Sequence, residues 1–360
     1  MNRVLLTSGG TGGHVFPALA VAEELRLQSA DVRLLFVGSR YGPEQRLAQL
    51  KDIPFEGLPV RGFLGRGIRA LGAAARMSLA LFRSLCIVRR FRPDIVAGFG
   101  GYAAFAPVLA AHLLGVPCVL HEQNAIAGAS NRVLAHFARS VCLSLPGTEG
   151  FAREKCVFTG NPVRHAICEA GHTPRRRMTK RLLVMGGSQG ARALNTAMIE
   201  FLPALKAAEV EIRHQSGASD EGVTRAAYMA AGYDGSCVFS FIDDMAEAYA
   251  WADLVFCRSG ASTVAELCVA GRPSILTPFP QAIHDHQTKN ARILESAGAA
   301  LLLPESGLRL GNLGELILTL LDDPDHRAEM SAAALAAGRS DAAARVVAVL
   351  REEVSRCQRG

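Results

Sequence analysis

Short apolar runs alternate with longer stretches of helical period along most of the chain. Runs of this length, bounded by turn residues, are typical of buried parallel strands that are connected by helices. In the first half the pattern predicts strands at 4–7, 32–37, 95–97 and 118–120, with helices at 17–28 and 103–114. This alternation predicts an α/β domain with a parallel sheet.

The same pattern begins again in the second half of the chain. A polar, turn-rich and basic stretch at 160–180 is typical of a connection between domains. After it, strands are predicted at 182–185, 211–214, 237–241, 254–257 and 274–277, with a helix at 194–208 and a last helix from 341 to about 355–357. We therefore expect two Rossmann-like parallel-sheet domains facing a cleft, at 1–160 and 161–340.

Each predicted domain opens with a strand, a glycine-rich stretch and a helix. The first glycine loop, residues 8–14, has the sequence SGGTGGH, and the second glycine loop, residues 186–191, has GGSQGA. Glycines let the backbone approach a ligand, and the following helix directs free N–H groups and its positive dipole end at the loop. A diphosphate is the expected ligand of two such glycine loops, although tight packing alone would also explain either loop by itself.

Two other nucleotide-dependent classes fit less well. A nicotinamide enzyme needs a G-x-G-x-x-G loop and an acidic residue after the second strand, where this chain has Ser39 and Arg40. Arg40 would still accept the 2′-phosphate of NADP, so this class is disfavoured rather than excluded. Neither loop is followed by the lysine of an ATP-binding P-loop.

Positive charge is concentrated in one segment. The formal net charge is +6, yet residues 61–92 contain eight arginines and no acidic residue. Arg69, Arg76, Arg83 and Arg90 recur every seven residues, which places them in one stripe on a helix. Leu71, Ala75, Phe82 and Leu85 are predicted on the opposite side of that helix. A local basic surface indicates contact with an anionic membrane rather than a general affinity for nucleic acid, although a solvated basic face is the simpler alternative.

Other sequence features argue against a membrane span and against a metal centre. The N-terminus enters the first strand directly, and the longest apolar run, at 103–120, is interrupted by Pro107, His112, Gly115 and Pro117. The nine cysteines form no CxxC pair, which is typical of reduced, buried thiols. His284, Asp285 and His286 are close together but have no further ligand nearby, so no metal site is predicted.

Several motifs, in the same order, resemble the MurG family of glycosyltransferase family 28. They are TSGGTGGHVFP at 7–17, GFGGY at 98–102, HEQN at 121–124, GNPVR at 160–164, GGSQGA at 186–191, FIDDM at 241–245 and RSGA at 258–261. The family comprises bacterial N-acetylglucosaminyltransferases of peptidoglycan synthesis. The resemblance covers nearly the whole chain, so it is specific.

The resemblance implies a GT-B glycosyltransferase. Such an enzyme moves GlcNAc from UDP-GlcNAc to the 4-hydroxyl of MurNAc-pentapeptide on undecaprenyl diphosphate (lipid I), inverts the anomeric centre and needs no bound metal or other cofactor. It further implies a peripheral enzyme on the cytoplasmic face of the bacterial inner membrane. In the family the acceptor and membrane side is the N-terminal domain, UDP-GlcNAc binds to the C-terminal domain, and the last helix packs back on the first domain.

His14 ends the first glycine loop at a predicted helix start. An imidazole titrates near neutral pH, so we expect His14 to act as the general base that deprotonates the acceptor hydroxyl, while a phosphate contact or a helix cap remains an equal alternative. The inverting transfer is a single displacement and needs no nucleophile on the protein.

The resemblance implies further substrate contacts. Arg164 would meet the negative charge of the departing UDP, an ordinary ion pair being its alternative. Ser188 would bind phosphate or cap a helix, and Ile242 would contact uracil through its backbone. Glu266 would accept hydrogen bonds from the ribose hydroxyls. The other expected contacts are Thr11, Gly12, Gly13, Asn124, Ala261, Ser262, Thr263, Val264, Ala265 and Gln287.

Three alternatives remain open from sequence alone. A UDP-GlcNAc 2-epimerase shares the two-domain fold but would not need a basic docking surface. A glycosyltransferase with another lipid acceptor, such as diacylglycerol, would need one. A non-catalytic nucleotide-sugar-binding protein would neither epimerise nor transfer.

Overall fold

The computed structural model describes residues 1–60, 68–171, 179–187, 190–282, 285–308 and 311–359, with residues 68–74 as backbone only. These residues divide into two compact units. Unit 1 comprises Met1–Arg164 and Arg339–Gly360, and unit 2 comprises His165–Gly338. Each unit contains one parallel sheet with helices on both faces.

Unit 1 is built on a seven-stranded sheet. Its strands, all parallel, follow the order β3-β2-β1-β4-β5-β6-β7. Successive side chains of a strand point to opposite faces, and both faces of the central strands are apolar, which is typical of a sheet that is covered on both sides. The strands are β1 (Arg3–Thr7), β2 (Arg33–Ser39), β3 (Phe55–Leu58), β4 (Ile95–Gly98), β5 (Cys118–Glu122), β6 (Ser140–Leu143) and β7 (Cys156–Phe158).

Two apolar cores cover the faces of this sheet. Val4 and Leu6 pack with one helix layer, whereas Leu5 and Val96 pack with the other. The helices of this part of the chain are α1 (Gly12–Gln28), α2 (Glu44–Gln49), α3 (Ile68–Phe91), α4 (Phe105–Leu113) and α5 (Ala129–Leu134). Helix α1 covers the first face, and α3 and α4 cover the second.

Unit 2 repeats the architecture with six strands. The parallel order is β10-β9-β8-β11-β12-β13. The strands are β8 (Arg181–Met185), β9 (Glu211–Gln215), β10 (Val238–Phe239), β11 (Leu254–Cys257), β12 (Ser274–Leu276) and β13 (Ala300–Leu302). The helices are α6 (His165–Ala170), α7 (Arg192–Ala207), α8 (Glu221–Ala230), α9 (Met245–Trp251), α10 (Ala261–Val269), α11 (His286–Ser296), α12 (Glu305–Leu308), α13 (Leu313–Asp322) and α14 (Pro324–Ala337).

The chain ends with helix α15 (Ala342–Arg359), which belongs to unit 1. It packs against α1 and contributes Val346, Val347 and Leu350 to the core. The buried carboxylate of Glu353 accepts a 2.7 Å hydrogen bond from the Ser140 hydroxyl in β6. A buried hydrogen bond to a charged group fixes the position of this helix on the sheet.

Two sequence predictions about element boundaries are wrong. The first long helix was expected at 17–28 but begins at Gly12, so Gly12, Gly13 and His14 form its first turn. The prediction placed the helix start at Pro17 because proline is common in the first turn of helices. In the structure Pro17 lies inside the helix, where its missing N–H removes one backbone hydrogen bond. The stretch at 160–180 is not all connection, because α6 packs within it on α9 and α10, and Ile167 is fully buried.

The predicted orientation of the basic helix is right only in part, because Arg76, Arg83 and Arg90 are exposed and Leu85 packs against the core, as predicted. Ala75 and Phe82 were expected to face the sheet, but both are exposed. Among the side chains of α3 from residue 75 onwards, those of Ala80, Ser84, Ile87 and Val88 are buried. The small residues Ala80 and Ser84 form part of this buried face, and such residues give no strong apolar signal in the sequence. Arg61 and Arg66, and the side chains of Arg69 and Leu71, lie outside the described residues.

Candidate functional site

In both units the strand order reverses beside the first strand of the sheet. The reversal lies between β1 and β4 in unit 1, and between β8 and β11 in unit 2. In doubly wound sheets ligands bind in the crevice at the carboxyl ends of such neighbouring strands. The first glycine loop follows β1 and the second glycine loop follows β8, so each unit has its glycine loop at this crevice.

The first glycine loop packs closely against the loop that follows β4. Gly101 has a φ of 77°, and a Cβ atom at this position would lie 1.8 Å from the carbonyl oxygen of Gly9. Gly10 has a φ of 106°, which residues other than glycine rarely adopt. These two loops therefore form one surface, and only glycine permits their contact.

A buried carboxylate lies beneath the first glycine loop. Glu44 is completely buried, and its Oε1 accepts a 3.0 Å hydrogen bond from the Gly10 N–H. Its Oε2 has no hydrogen-bond partner among the described residues. One loop amide is thus already bound by a carboxylate of the protein itself. Sequence reasoning missed Glu44, because a single glutamate after a turn usually lies in solvent.

His14 lies in the first turn of α1, where its N–H bonds the carbonyl of Thr11. Its Nδ1 is 2.9 Å from Oε1 of Gln123, which directly follows β5. The ring also lies against Gly100, where an added Cβ would be 3.3 Å from Nδ1. Gly100 has a φ of 83°, so this contact also depends on glycine. The predicted base is therefore a half-buried ring with a fixed partner.

Behind Gln123 lies a second histidine. Gln123 Nε2 is 2.9 Å from the carbonyl oxygen of Phe99 and 3.1 Å from Nδ1 of His121. His121 Nε2 is 3.1 Å from the carbonyl oxygen of Gly160. Burial lowers the pKa of His121 to about 4, so this imidazole is neutral at neutral pH. Neither Gln123 nor His121 was among the predicted site residues.

Asn124, a predicted donor contact, is held by its neighbour Glu122. One carboxylate oxygen of Glu122 accepts from the Asn124 backbone N–H at 3.0 Å and from its Nδ2 at 3.2 Å. The other oxygen accepts from Gly128 N–H at 3.0 Å and from Asn131 Nδ2 at 2.9 Å. The buried carboxylate thus shapes the loop after β5 and holds the side chain of Asn124 by its amide nitrogen.

Arg164, the predicted partner of the departing diphosphate, is the last residue of the first segment of unit 1. Its guanidinium lies 4.5 Å from the centre of the Phe16 ring, on the helix that carries His14. A cation stacked on an aromatic face keeps its charge while its stem is held in place. The structure therefore brings Arg164 and His14 to the same end of α1.

The second glycine loop has a glutamine beneath it. Gln215, at the end of β9, donates from Nε2 to the Gly187 carbonyl at 3.0 Å, and its Oε1 accepts from the Ile242 N–H at 3.0 Å. A ligand that needs the Ile242 amide must therefore compete with Gln215. Ser188 lies outside the described residues. Sequence reasoning missed Gln215, because nothing in its surrounding sequence distinguishes it from a surface glutamine.

Helix α10 begins directly after Gly260, at the crevice of unit 2. Val264 is buried, and its N–H bonds the Gly260 carbonyl, so this residue presents no amide to a ligand. Ala261, Ser262 and Thr263 form the first turn of this helix. Ala265 is half-buried.

Glu266 is a buried carboxylate rather than a solvated one. Its Oε2 accepts a 3.0 Å hydrogen bond from the hydroxyl of Tyr249, which is itself fully buried. A tyrosine that donates to a carboxylate fixes the direction of the second oxygen as well. The predicted ribose acceptor is therefore held in one orientation, as a specific binding group requires.

Gln287 is tied to the loop after β12. Its Oε1 accepts from the Phe279 N–H at 2.9 Å, and its carbonyl accepts from the Ser259 hydroxyl at 2.9 Å. Arg258, which sequence reasoning named only within a motif, pairs with Glu305 at 2.6 Å and donates to the Pro278 carbonyl at 3.0 Å. These bonds hold the loops beside an open pocket of about 610 Å³, which is lined in part by Pro278, Asp285, Thr288 and Glu305.

No group of three or more histidine, cysteine or carboxylate side chains suited to a metal ion occurs within the described residues. His284 lies outside the described residues. The next residue, Asp285, has a φ of 53° and accepts a hydrogen bond from the Thr288 hydroxyl. In the same part of the chain, no helix is long and apolar enough to cross a membrane.

Two doubly wound sheets, each with a glycine loop at its crevice, define a GT-B glycosyltransferase fold. Residues 4–143 match the model of the glycosyltransferase family 28 N-terminal domain, and residues 181–346 match that of its C-terminal domain. The chain belongs to glycosyltransferase family 28. The enzyme class predicted from sequence, a hexosyltransferase, is thereby confirmed, and nicotinamide and ATP-hydrolysing enzymes are set aside.

Relatives with assigned names match over nearly the full length. A protein of Nitratidesulfovibrio vulgaris (strain Miyazaki F) is 52% identical over 96% of both chains, and one of Lawsonia intracellularis is 46% identical over 95% of this chain and 94% of its own. Both are named UDP-N-acetylglucosamine--N-acetylmuramyl-(pentapeptide) pyrophosphoryl-undecaprenol N-acetylglucosamine transferase.

Solved structures give the same family and a wider set of folds. The crystal structure of Acinetobacter baumannii MurG superposes with a TM-score of 0.74 at 35% identity, over 98% of this chain and 100% of that one. A UDP-GlcNAc 2-epimerase from Neisseria meningitidis gives a TM-score of 0.68 at 13% identity, over 97% of this chain and 100% of that one. The second likeness concerns the fold alone.

Proposed function

We propose that this chain transfers N-acetylglucosamine from UDP-GlcNAc to the 4-hydroxyl of MurNAc-pentapeptide on undecaprenyl diphosphate. The observation that carries this proposal is that both units match family 28 and that relatives with this transferase name align over nearly the whole chain. The product is the disaccharide-lipid precursor of peptidoglycan.

The two units divide the reaction. Unit 1 receives the lipid acceptor, and His14 removes the proton of the acceptor hydroxyl as it attacks the anomeric carbon. Unit 2 binds UDP-GlcNAc through the second glycine loop with Ser188, the first turn of α10, Glu266 at the ribose, the backbone of Ile242 at uracil and Gln287 at the sugar. Thr11, Gly12, Gly13, Asn124 and Arg164 complete the substrate contacts, and Arg164 meets the charge that develops on UDP.

A transfer assay with labelled donor tests this function. The protein is incubated with UDP-GlcNAc alone, with added lipid I, and with added diacylglycerol. We expect a labelled lipid product only with lipid I, and an unchanged sugar nucleotide without an acceptor. An epimerase would convert the donor without any acceptor, another lipid transferase would label diacylglycerol, and a binding protein would yield no product in any arm.

The proposal includes peripheral attachment to the cytoplasmic face of the membrane through α3. Its exposed face combines Arg76, Arg83 and Arg89 with the large apolar side chains of Leu79, 46% exposed, and Phe82, 65% exposed. Such a mixed face can place apolar groups at the lipid boundary while each arginine contributes ~1 kcal/mol near anionic headgroups. Arg90 contributes less to this surface, because it pairs with Glu56.

Vesicle sedimentation tests this attachment. With the double variant Arg76→Glu and Arg83→Glu, we expect affinity for phosphatidylglycerol-containing vesicles to fall about 30-fold or more, from two contributions of ~1 kcal/mol. Phe82→Ser should also weaken binding. Met229→Ser on α8, similarly exposed at 61%, and Arg351→Glu on α15 serve as matched controls. Binding that is unaffected by salt and by the α3 variants would contradict the proposal.

A further inference from the structure

A chain of hydrogen bonds leads from His14 into unit 1 and ends at two backbone carbonyls. The first is the carbonyl of Phe99, 2.9 Å from Gln123 Nε2, and the second is the carbonyl of Gly160, 3.1 Å from His121 Nε2. A carbonyl oxygen only accepts hydrogen bonds. The Thr159 hydroxyl also donates to the Gly160 carbonyl at 3.0 Å, but an unprotonated nitrogen would still direct a lone pair at the oxygen. Each nitrogen must therefore donate to the carbonyl that it faces, and this fixes the direction of the bonds between them.

The amide of Gln123 has one allowed orientation. Its nitrogen must face the Phe99 carbonyl, since the amide oxygen in that place would put two acceptors 2.9 Å apart. The amide oxygen then faces Nδ1 of His14 at 2.9 Å. Because an amide oxygen cannot donate, the proton of this bond must come from His14 Nδ1.

His121 has the complementary arrangement. Its Nε2 carries the proton that is donated to the Gly160 carbonyl, so its Nδ1 is the lone-pair nitrogen that accepts the second hydrogen of Gln123 Nε2 at 3.1 Å. Burial lowers the pKa of His121 to about 4, which keeps the ring in this neutral form. His121 is 1% exposed and Gln123 is 2% exposed, so water does not compete for these bonds.

We propose that Gln123 and His121 are positioning residues that hold His14 in the tautomer with its proton on Nδ1, so that Nε2 is the basic atom. This inference rests on the proposed role of His14 as the general base. In the transfer, Nε2 takes the acceptor proton, the acceptor oxygen forms its bond to the anomeric carbon, and UDP leaves with the electron pair of the broken bond. The neutral amide remains an acceptor for the resulting imidazolium.

Nitrogen NMR of protein labelled at its histidines tests the tautomer directly, without substrate. The His14 signals are assigned by their loss in His14→Asn. We expect a protonated, pyrrole-type shift for Nδ1 and an unprotonated, pyridine-type shift for Nε2. A protonated Nε2 on neutral His14 would overturn the inference, whatever the activity of the enzyme.

A matched pair of variants tests the role of Gln123. Gln123→Met has a similar shape but no acceptor for His14 Nδ1, so both tautomers should become populated. Gln123→Glu, as the neutral acid, keeps an acceptor oxygen for His14 Nδ1 and an O–H donor for the Phe99 carbonyl, and should keep the Nδ1-protonated form. We expect kcat to fall about 10-fold or more for Gln123→Met, within the roughly 10²–10⁴-fold that a general base contributes, and less for Gln123→Glu. The dissociation constant of UDP-GlcNAc should change in neither.

The buried His214 of unit 2 provides the control for folding, because its signals should be unchanged in both variants. An unchanged His14 tautomer in Gln123→Met would overturn the positioning role. A confirmed tautomer together with near-normal kcat in His14→Asn would overturn the base role while leaving the tautomer assignment in place. The failure of the inference and the failure of the proposed function are therefore distinguishable.

Discussion

The two units each bury a neutral histidine near the crevice of their sheet, yet the two hydrogen-bond networks end differently. In unit 1 the network passes from His121 through Gln123 to the half-buried ring of His14. In unit 2, His214 Nδ1 bonds the Tyr228 hydroxyl at 2.9 Å and its Nε2 bonds Asn195 Oδ1 at 3.0 Å, and both partners are buried. The first network thus ends at a half-buried imidazole, whereas the second continues from Asn195 Nδ2 to the carboxylate of Asp220 at 3.0 Å.

The two glycine loops differ in the same sense. Beneath the first loop, the Glu44 carboxylate already binds the Gly10 amide. Beneath the second loop, the neutral side chain of Gln215 donates to the Gly187 carbonyl. It therefore adds no negative charge there, and this bond occupies a carbonyl of the loop, not one of its N–H groups. A polyanion is better suited to the second loop. This difference supports the proposed division, with proton transfer on unit 1 and binding of the nucleotide diphosphate on unit 2.

The largest expected effect separates the two histidine networks by their function. His14→Asn should lower kcat by roughly 10²–10⁴-fold, the usual contribution of a general base, with little change in thermal stability. His214→Leu should instead destabilise unit 2 by about 1–3 kcal/mol for each partner left unpaired, with near-normal kcat for the folded protein. Steady-state kinetics and thermal unfolding measure both. Near-normal kcat in His14→Asn would leave His14 as a phosphate contact or a cap.

Acid should weaken the two networks in the same pH window. Burial lowers the pKa of His121 to about 4 and of His214 to about 3, whereas both titrate near 6.5 when unfolded. Below pH 6.5 the unfolded chain therefore binds more protons than the folded one, and stability falls as the pH falls, by about 1.4 kcal/mol per unit and per histidine. The effect is complete only below the folded pKa values.

Urea unfolding between pH 7 and pH 5 measures this dependence in unit 2. Trp251, the single tryptophan of the chain, lies on α9 in that unit, so its fluorescence reports on unit 2. We expect the urea concentration at the unfolding midpoint of the wild type to decrease as the pH is lowered below 6.5. In His214→Gln this midpoint should vary less with pH. An equally steep dependence in the variant would show that other groups cause it.

Much of the fold followed from the sequence, because the periodicity of strands and the glycines at turns are local signals. Strand β11 lies at the predicted bounds, and the GT-B class is confirmed. The exposure of Phe82 on α3 did not follow, since the choice between Phe82 and Ala80 as the buried residue depends on how closely the sheet approaches. Glu44, Gln123 and Gln215 were missed for a related reason. Each acts on a loop distant in sequence, and only the fold brings donor and acceptor together.

The smallest expected effects concern the binding of UDP by unit 2. If Glu266 accepts from the ribose, Glu266→Ala should weaken UDP binding by about 1.5–3 kcal/mol, the range for hydrogen bonds to a charged group, and Tyr249→Phe by about 0.5–1.5 kcal/mol, because it removes only the bond that orients the carboxylate. Calorimetric titration with UDP and with 2′,3′-dideoxy-UDP measures both variants. The dideoxy ligand should bind the wild type and Glu266→Ala with similar affinity. If Glu266→Ala also weakened binding of the dideoxy ligand, Glu266 would stabilise the structure around α10 and would not bind the ribose hydroxyls.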